Sequence, residues 1–218
     1  MESMSSDPPV RLEHLDREGD GRRFSPSAGR NQQHIVDALV ELLPESGVGL
    51  EVASGTGEHA VLAATRLPRW RWTPSERDGD ALASIEAWVR HTQLSNLAPP
   101  LRLDLRDPWP FDPESLDAVF ASNVMHISPM ETTEALLEGA ARHLKRGASL
   151  LIYGPVFLPD VPRPAGNRAF DDDLRAQDPT YGVRELTAIA AIAARVGLSA
   201  PAVRSMPADN VILQFEQT

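Results

Sequence analysis

Residues 48–53 form a short apolar run that enters Ser54-Gly55-Thr56-Gly57, and residues 58–67 continue in a helical pattern stopped by Pro68. A strand that hands over through a glycine loop to a helix constrains the fold strongly. Such a strand pairs in parallel with its neighbours, and a parallel neighbour is reached only through a crossover. The rest of the chain repeats the alternation. Residues 31–43 place Ile35, Val36, Leu39, Val40 and Leu43 at helical spacing before Pro44. Trp70-Arg71-Trp72-Thr73 reads as a second strand, and residues 80–91 set Leu82, Ile85 and Val89 on one helical face. Residues 101–105 alternate as a third strand and 117–122 form a fourth. A helix is expected over about 131–146, with Lys145, Arg146 and Gly147 closing its carbonyl end. A fifth strand, 149–153, ends in Gly154-Pro155. Between 155 and 182 the pattern dissolves into prolines and charges, too long for an ordinary connection and therefore a lid-like insert. A helix over 183–197 and a hairpin of 202–206 with 211–216 complete the chain. The expected fold is α/β: a mostly parallel sheet with helices on both faces and a C-terminal antiparallel hairpin.

At 218 residues the chain suits one domain. Residues 1–23, charged and carrying Gly19-Asp20-Gly21, are expected to be a flexible arm, leaving 24–218 as the domain. The formal net charge of -10 argues against a nucleic-acid partner, because phosphate binding relies on clustered Lys and Arg. There is no cysteine, which excludes disulfides and thiolate chemistry and fits a cytoplasmic setting. No secretory signal and no apolar run of membrane-spanning length is legible. The oligomeric state is left open.

In open sheets of this kind ligands bind at the carboxyl ends of the strands. A dinucleotide G-x-G-x-x-G register would fall on Ala53, Gly55 and Glu58, failing at both ends, and Glu58 would bring charge and bulk near a pyrophosphate. No Lys-Ser/Thr pair follows the glycines, so a mononucleotide phosphate loop fits less well still. Gly55 and Gly57 would let the backbone approach a ligand, the next helix would offer its free N–H groups to a carboxylate, and Glu51 would draw an ammonium. The acidic setting suits a cationic ligand. Glu76 and Asp104 add acids at the next two strand ends.

Strand–helix units ending in a hairpin resemble the seven-stranded, Rossmann-like class I S-adenosylmethionine-dependent methyltransferases over nearly all the chain from about residue 30. Longer words resemble one poorly characterised methyltransferase-like family labelled as a domain of unknown function. They include Arg30-Asn31, residues 51–60, Pro74-Ser75, residues 84–88 and Asn123-Val124-Met125-His126-Ile127-Ser128-Pro129. Tyr153-Gly154-Pro155, Asn167, Phe170-Asp171, Leu174-Arg175, Asp178-Pro179, Gly182-Val183-Arg184 and residues 206–210 also match. Glu76 stands where the family usually has aspartate, and Asp209 where asparagine is common. The resemblance implies S-adenosyl-L-methionine as cofactor, with Glu76 beside Ser75 on the ribose, Asp104 near the adenine amino group and Leu105 against its ring. Asn31, Glu51, Ala53, Gly55, Gly57, His59 and Asn123 would complete the cofactor site.

Methyl transfer needs the acceptor lone pair in line with the methyl–sulfur bond, and positioning supplies much of the catalysis. Where the acceptor carries a proton, His126 is the candidate base, with a structural histidine as the competing reading. Tyr153 offers a donor hydroxyl at the fifth strand's end. In the insert, Asn167, Arg168, Phe170, Arg175 and Tyr181 are candidate acceptor contacts. Asp171-Asp172-Asp173 reads as a solvated charge run and no metal is expected. The expected activity is methyl transfer to an oxygen, nitrogen or sulfur of a small molecule. A non-catalytic binding module of the same fold and a protein methyltransferase are the alternatives.

Overall fold

A computed structural model describes residues 16–218. The first fifteen residues of the expected arm lie outside this range. The remainder of it is paired: β1 (Asp16–Arg17) and β2 (Arg23–Phe24) form an antiparallel ribbon turned at Gly19-Asp20-Gly21. Two aromatic contacts hold the ribbon. The Arg22 guanidinium lies 4.7 Å from the Trp88 ring, and the Trp88 indole donates to the Arg23 carbonyl at 3.2 Å.

The helix α1 (Pro26–Leu42) starts where Ser25 accepts the Ala28 N–H at 3.3 Å and Pro26 fills the first position. It stops before Pro44, whose ring disfavours a helical predecessor. The alternating series follows as β3 (Gly47–Val52), α2 (Glu58–Arg66), β4 (Trp70–Glu76), α3 (Gly79–Thr92), β5 (Leu101–Arg102), β6 (Leu116–Ser122), α4 (Met130–His143) and β7 (Leu144–Gly154). Then come β8 (Val156–Phe157), α5 (Ala165–Gln177), β9 (Arg184–Glu185), α6 (Leu186–Val196), β10 (Ala202–Met206) and β11 (Asn210–Glu216).

The main sheet has seven strands in the order β10-β11-β7-β6-β3-β4-β5. Strands β3 to β7 are parallel, and β11 and β10 add antiparallel at one side. From β3 the chain builds outward through β4 to β5, then returns to lay β6 on the opposite side of β3. The order therefore reverses between β3 and β6, and in open sheets of this kind ligands bind at the strands' carboxyl ends beside such a reversal. Alternation along the strands sorts side chains to the two faces. Leu50, Val52, Val119 and Ile152 pack with α4 and α6, whereas Trp72, Phe120 and Leu151 pack with α1 and α2. A Cβ on Gly49 would lie 2.5 Å from the Trp72 ring, so β3 is glycine there because the indole occupies the space.

Several boundaries differ from the sequence reading. The helix expected to reach Arg146 ends at His143, because Leu144 is already extended and paired with Leu116. Lys145 instead reaches Asp117 Oδ1 at 2.7 Å from within β7. The last helix begins at Leu186 and not at 183, since Arg184-Glu185 pairs in parallel with β8; it ends as expected in a left-handed Gly197. The third strand is only Leu101–Arg102, which leaves Asp104 beyond its end. The insert holds the 13-residue helix α5.

Candidate functional site at the carboxyl edge of the sheet

The glycine loop is bonded from several sides. Ser75 Oγ donates to the Glu51 carbonyl at 2.9 Å, and the Ser54 N–H donates to the Ser75 carbonyl at 2.9 Å. Glu76 Oε2 accepts the Gly55 N–H at 3.1 Å while its Oε1 accepts the Arg77 N–H at 2.8 Å. Ser84 Oγ, from α3, donates to the Thr56 carbonyl at 2.8 Å. Glu58 Oε2 accepts from Thr56 Oγ1 at 2.8 Å and from the Ser25 N–H at 2.7 Å, which ties the start of α1 to the loop. Ser25, Thr56, Glu58 and Ser84 were not among the expected site residues, and only their mutual spacing in the fold connects them. Left-handed backbone at Ala53, Gly55 and Gly57 turns the chain (φ 52°, 56° and 96°). Space around a Cβ is open at Gly55 but at Gly57 it would meet Ile85 Cγ1 at 3.1 Å, so Gly57 serves packing on α3 as well as the turn.

Glu51 lies at the floor of this loop and is 1% exposed. The Trp72 indole N–H donates to its Oε2 at 2.8 Å. Burial pushes the Glu51 carboxyl up to about 7, with the Trp72 indole and the Ser54 hydroxyl offsetting part of the rise. The groups that hold it are neutral, so a cation arriving beside it would complete a charge pair.

Asn31, His59 and Tyr153 come together as a polar chain across α1, α2 and β7. His59 Nε2 lies 2.8 Å from Asn31 Oδ1, and the Asn31 side chain is also bonded to the Tyr153 hydroxyl. Burial lowers the His59 imidazole to about 4 and keeps it neutral. Burial raises the Tyr153 phenol, outweighing the Asn31 bond, so the hydroxyl keeps its proton. Asp104 lies further out, where Arg106 grips it through Nε at 3.1 Å and Nη2 at 2.9 Å. The Arg106 guanidinium and backbone N–H hold its carboxyl below the usual carboxylate range against a partial burial penalty. Leu105 is buried in the core on the α4 side.

On the other side of the switch point, Asn123 takes left-handed backbone (φ 57°) and its N–H donates to the Tyr153 carbonyl at 2.9 Å. From the position of a Cβ on Gly154, Asn123 Oδ1 lies at 3.5 Å and His126 Nδ1 at 3.6 Å. The bare glycine thus leaves a niche of about the size of one methyl group, bordered by both side chains. His126 sits in a single 3₁₀ turn, Met125–Ile127, with its ring edge-on to Phe170 at 5.3 Å. Burial and, secondarily, the nearby Arg184 charge lower it to about 4, leaving the imidazole neutral at pH 7.

The insert residues divide. Phe170 touches His126 and is 39% exposed. Asn167 Nδ2 donates to the Asp209 carbonyl at 2.9 Å and so fastens α5 to the hairpin turn. Arg175 pairs with Asp171 at 3.0 Å, Arg168 is exposed on α5, and Tyr181 is buried in the turn after it. Asp171 Oδ1 accepts the Val183 N–H at 2.7 Å, a bond that docks α5 onto the approach to β9.

Solved structures share this architecture. An O-methyltransferase family protein from Burkholderia thailandensis superposes with a TM-score of 0.73 at 19% identity over 88% of this chain and 57% of that one. An O-methyltransferase family 2 protein from Planctomyces limnophilus, in complex with apigenin, gives 0.72 at 20% identity, covering 88% and 60%. Human N-acetylserotonin methyltransferase in complex with S-adenosylmethionine gives 0.67 at 17%, covering 88% and 52%. The chain thus spans between half and three-fifths of the length of these proteins. Residues 22–217 match the family described as "Protein of unknown function (DUF938)". The chain belongs to that family, and its fold is the Rossmann-like fold of the class I methyltransferases.

Proposed function

We propose that the chain binds S-adenosylmethionine at the carboxyl ends of β3 to β6 and transfers its methyl group to an oxygen, nitrogen or sulfur of a small molecule. Glu51 carries the reading. A carboxyl at the floor of a glycine loop, buried and held only by neutral donors, favours a ligand that brings an ammonium. The N-terminal turn of α2 follows the same loop and suits the carboxylate of an amino acid. Glu76, beside Gly55, offers acceptors for a ribose diol, and Asn31, Ser75, His59 and Asn123 complete the proposed site. Asp104, paired with Arg106 beyond the end of β5, is the acid assigned to the adenine amino group in this reading.

When bound, the cofactor supplies an electrophilic methyl on a sulfonium. The chain's own part is to place the acceptor over Gly154 and to receive its proton. His126 is neutral at pH 7 and lies beside the niche, so its ring can receive the proton as the acceptor lone pair forms the new bond to carbon; lowered to about 4 it is a weak base, suited to a proton that becomes acidic only as that bond forms. The cofactor would leave as S-adenosylhomocysteine, its sulfur keeping the electron pair of the methyl–sulfur bond. Tyr153, protonated and bonded to Asn31, orients the cofactor side and is no base.

The test is acceptor-dependent formation of S-adenosylhomocysteine with phenols, amines and thiols, read by mass spectrometry. A methylated product matched by S-adenosylhomocysteine is expected for one class. No formation above the acceptor-free control in any class would contradict the proposal.

A further inference from the structure

We propose that Arg184 is the positioning residue for His126, clamping the turn that carries the imidazole to the segment that leaves α5. The inference rests on the methyl-transfer reading for its consequence, and its geometry stands apart from it. Arg184 is 7% exposed. Its Nε donates to the Met125 carbonyl at 3.0 Å, and its Nη2 donates to the Thr180 carbonyl at 3.0 Å and to the Ser128 carbonyl. Met125 and Ser128 flank His126, and the His126 carbonyl accepts the Gly182 N–H at 3.0 Å. The carbonyls on either side of the imidazole and its own are therefore held from one short stretch, residues 182–184.

The chemistry of the residue matters. Carbonyls at the end of a 3₁₀ turn lack partners within the turn, and burying them unpaired is costly. A guanidinium presents several N–H donors in a fixed planar fork and can reach carbonyls on separate segments, which the point charge of a lysine cannot do. Among the described residues the fork's hydrogen bonds run to carbonyls; Asp171 from α5 and Glu131 from α4 act on it through space, and Arg175 from α5 opposes them. Its charge is thus felt by His126, which also meets the apolar Phe170 of α5. Two effects follow: the turn carrying the imidazole is fixed beside Gly154, and the Arg184 charge adds to the larger effect of burial in disfavouring a protonated ring. Through the bond from the Val183 N–H to Asp171, α5 is tied to the same stretch that holds the His126 turn.

The two effects separate in two substitutions. R184K keeps the charge and loses the fork; R184Q keeps donors and loses the charge. The readouts, on the full chain without ligand, are the imidazole titration of His126 by nuclear magnetic resonance, assigned with H126N, and hydrogen exchange of the Gly182 amide. The expected result is a His126 midpoint that moves up in R184Q, toward the ordinary histidine value near about 6.5, and stays low in R184K. Gly182 exchange is expected to quicken by about tenfold or more in R184K. An unmoved midpoint in R184Q, unaltered Gly182 exchange in R184K, or a parent midpoint at or above about 6.5 overturns the proposal. Where neither variant folds, the parent still decides: Gly182 amide exchange as fast as that of an unprotected amide overturns the clamp. Calorimetry with S-adenosylhomocysteine on the same samples keeps the two readings apart. Absence of binding in the parent counts against methyl transfer alone, whereas intact binding with the failed titration counts against Arg184 alone.

Discussion

From Glu51 to His59 the chain, on the proposed donor side, is bonded to α1, β4 and α3, whereas α5, on the proposed acceptor side, buries only Asn167 and Leu174. Glu76 fixes the Gly55 N–H and Ser84 the Thr56 carbonyl within the glycine loop, while Ser75 holds the Glu51 carbonyl before it and Ser25 the Glu58 carboxylate after it. The acceptor side hangs on Asn167 to Asp209, Asp171 to Val183 and the Arg184 fork. The contrast suits a site whose donor never changes and whose acceptor must enter and leave. Under the proposed reading, preorganisation on one side would keep a bound methyl donor in place, and a lightly anchored helix on the other would admit the acceptor.

The largest effect that would sharpen this contrast is expected at His126. H126A is expected to lower acceptor-dependent turnover by about 100-fold or more while leaving cofactor affinity within about twofold. Equal turnover at saturation would remove the residue as base. E51Q is expected to act on the donor side alone, weakening S-adenosylmethionine by about tenfold to 100-fold in calorimetry. It should also alter stability against pH. In the parent chain the folded Glu51 carboxyl titrates at about 7, above its ordinary 4.5. Its contribution to the fold is therefore fully present below 4.5 and lost as pH rises through about 7, on the order of 3 kcal/mol at most. Thermal melts of the cofactor-free protein should thus fall between about pH 5 and pH 8 in the parent and change less in E51Q; parallel curves would show that Glu51 is not buried as described.

Backbone effects come next. G57A forces a Cβ onto a left-handed residue and against Ile85, so a loss of about 1–2 kcal/mol is expected by chemical denaturation. Unchanged stability would mean that the loop is not held against α3. The smallest change is expected from N167A, which removes one bond to Asp209 and costs about 1 kcal/mol or less. Its signature is a raised acceptor KM with cofactor affinity intact. A loss of cofactor affinity instead would break the division between the two sides.

The donor side was also the more legible in the sequence. Apolar periodicity marks β3, α2, β4 and β6, because those elements bury one stripe or whole strands, and the glycines announce the turn between them. The helix α5 was hidden for the opposite reason. With one apolar side chain, Leu174, buried along 13 residues, it has no helical stripe to read. Lys145, Arg146 and Gly147 imitate a helix end so well that only the pairing of Leu144 with Leu116 reveals the strand. Within the site, Glu51 and His126 stand out by residue type and place. Arg184 does not, because an arginine that holds carbonyls leaves no mark of its partners in sequence, and Thr180, Met125 and Ser128 meet only after β8 and β9 pair.

The central claim, a buried carboxyl waiting for a cationic cofactor, is tested most directly by calorimetry of S-adenosylmethionine binding at pH 7 in two buffers of different ionisation enthalpy. With Glu51 titrating at about 7, binding should release about half a proton in the parent chain and none in E51Q. No binding at near-millimolar cofactor, or binding with the same proton count in both chains, would contradict it.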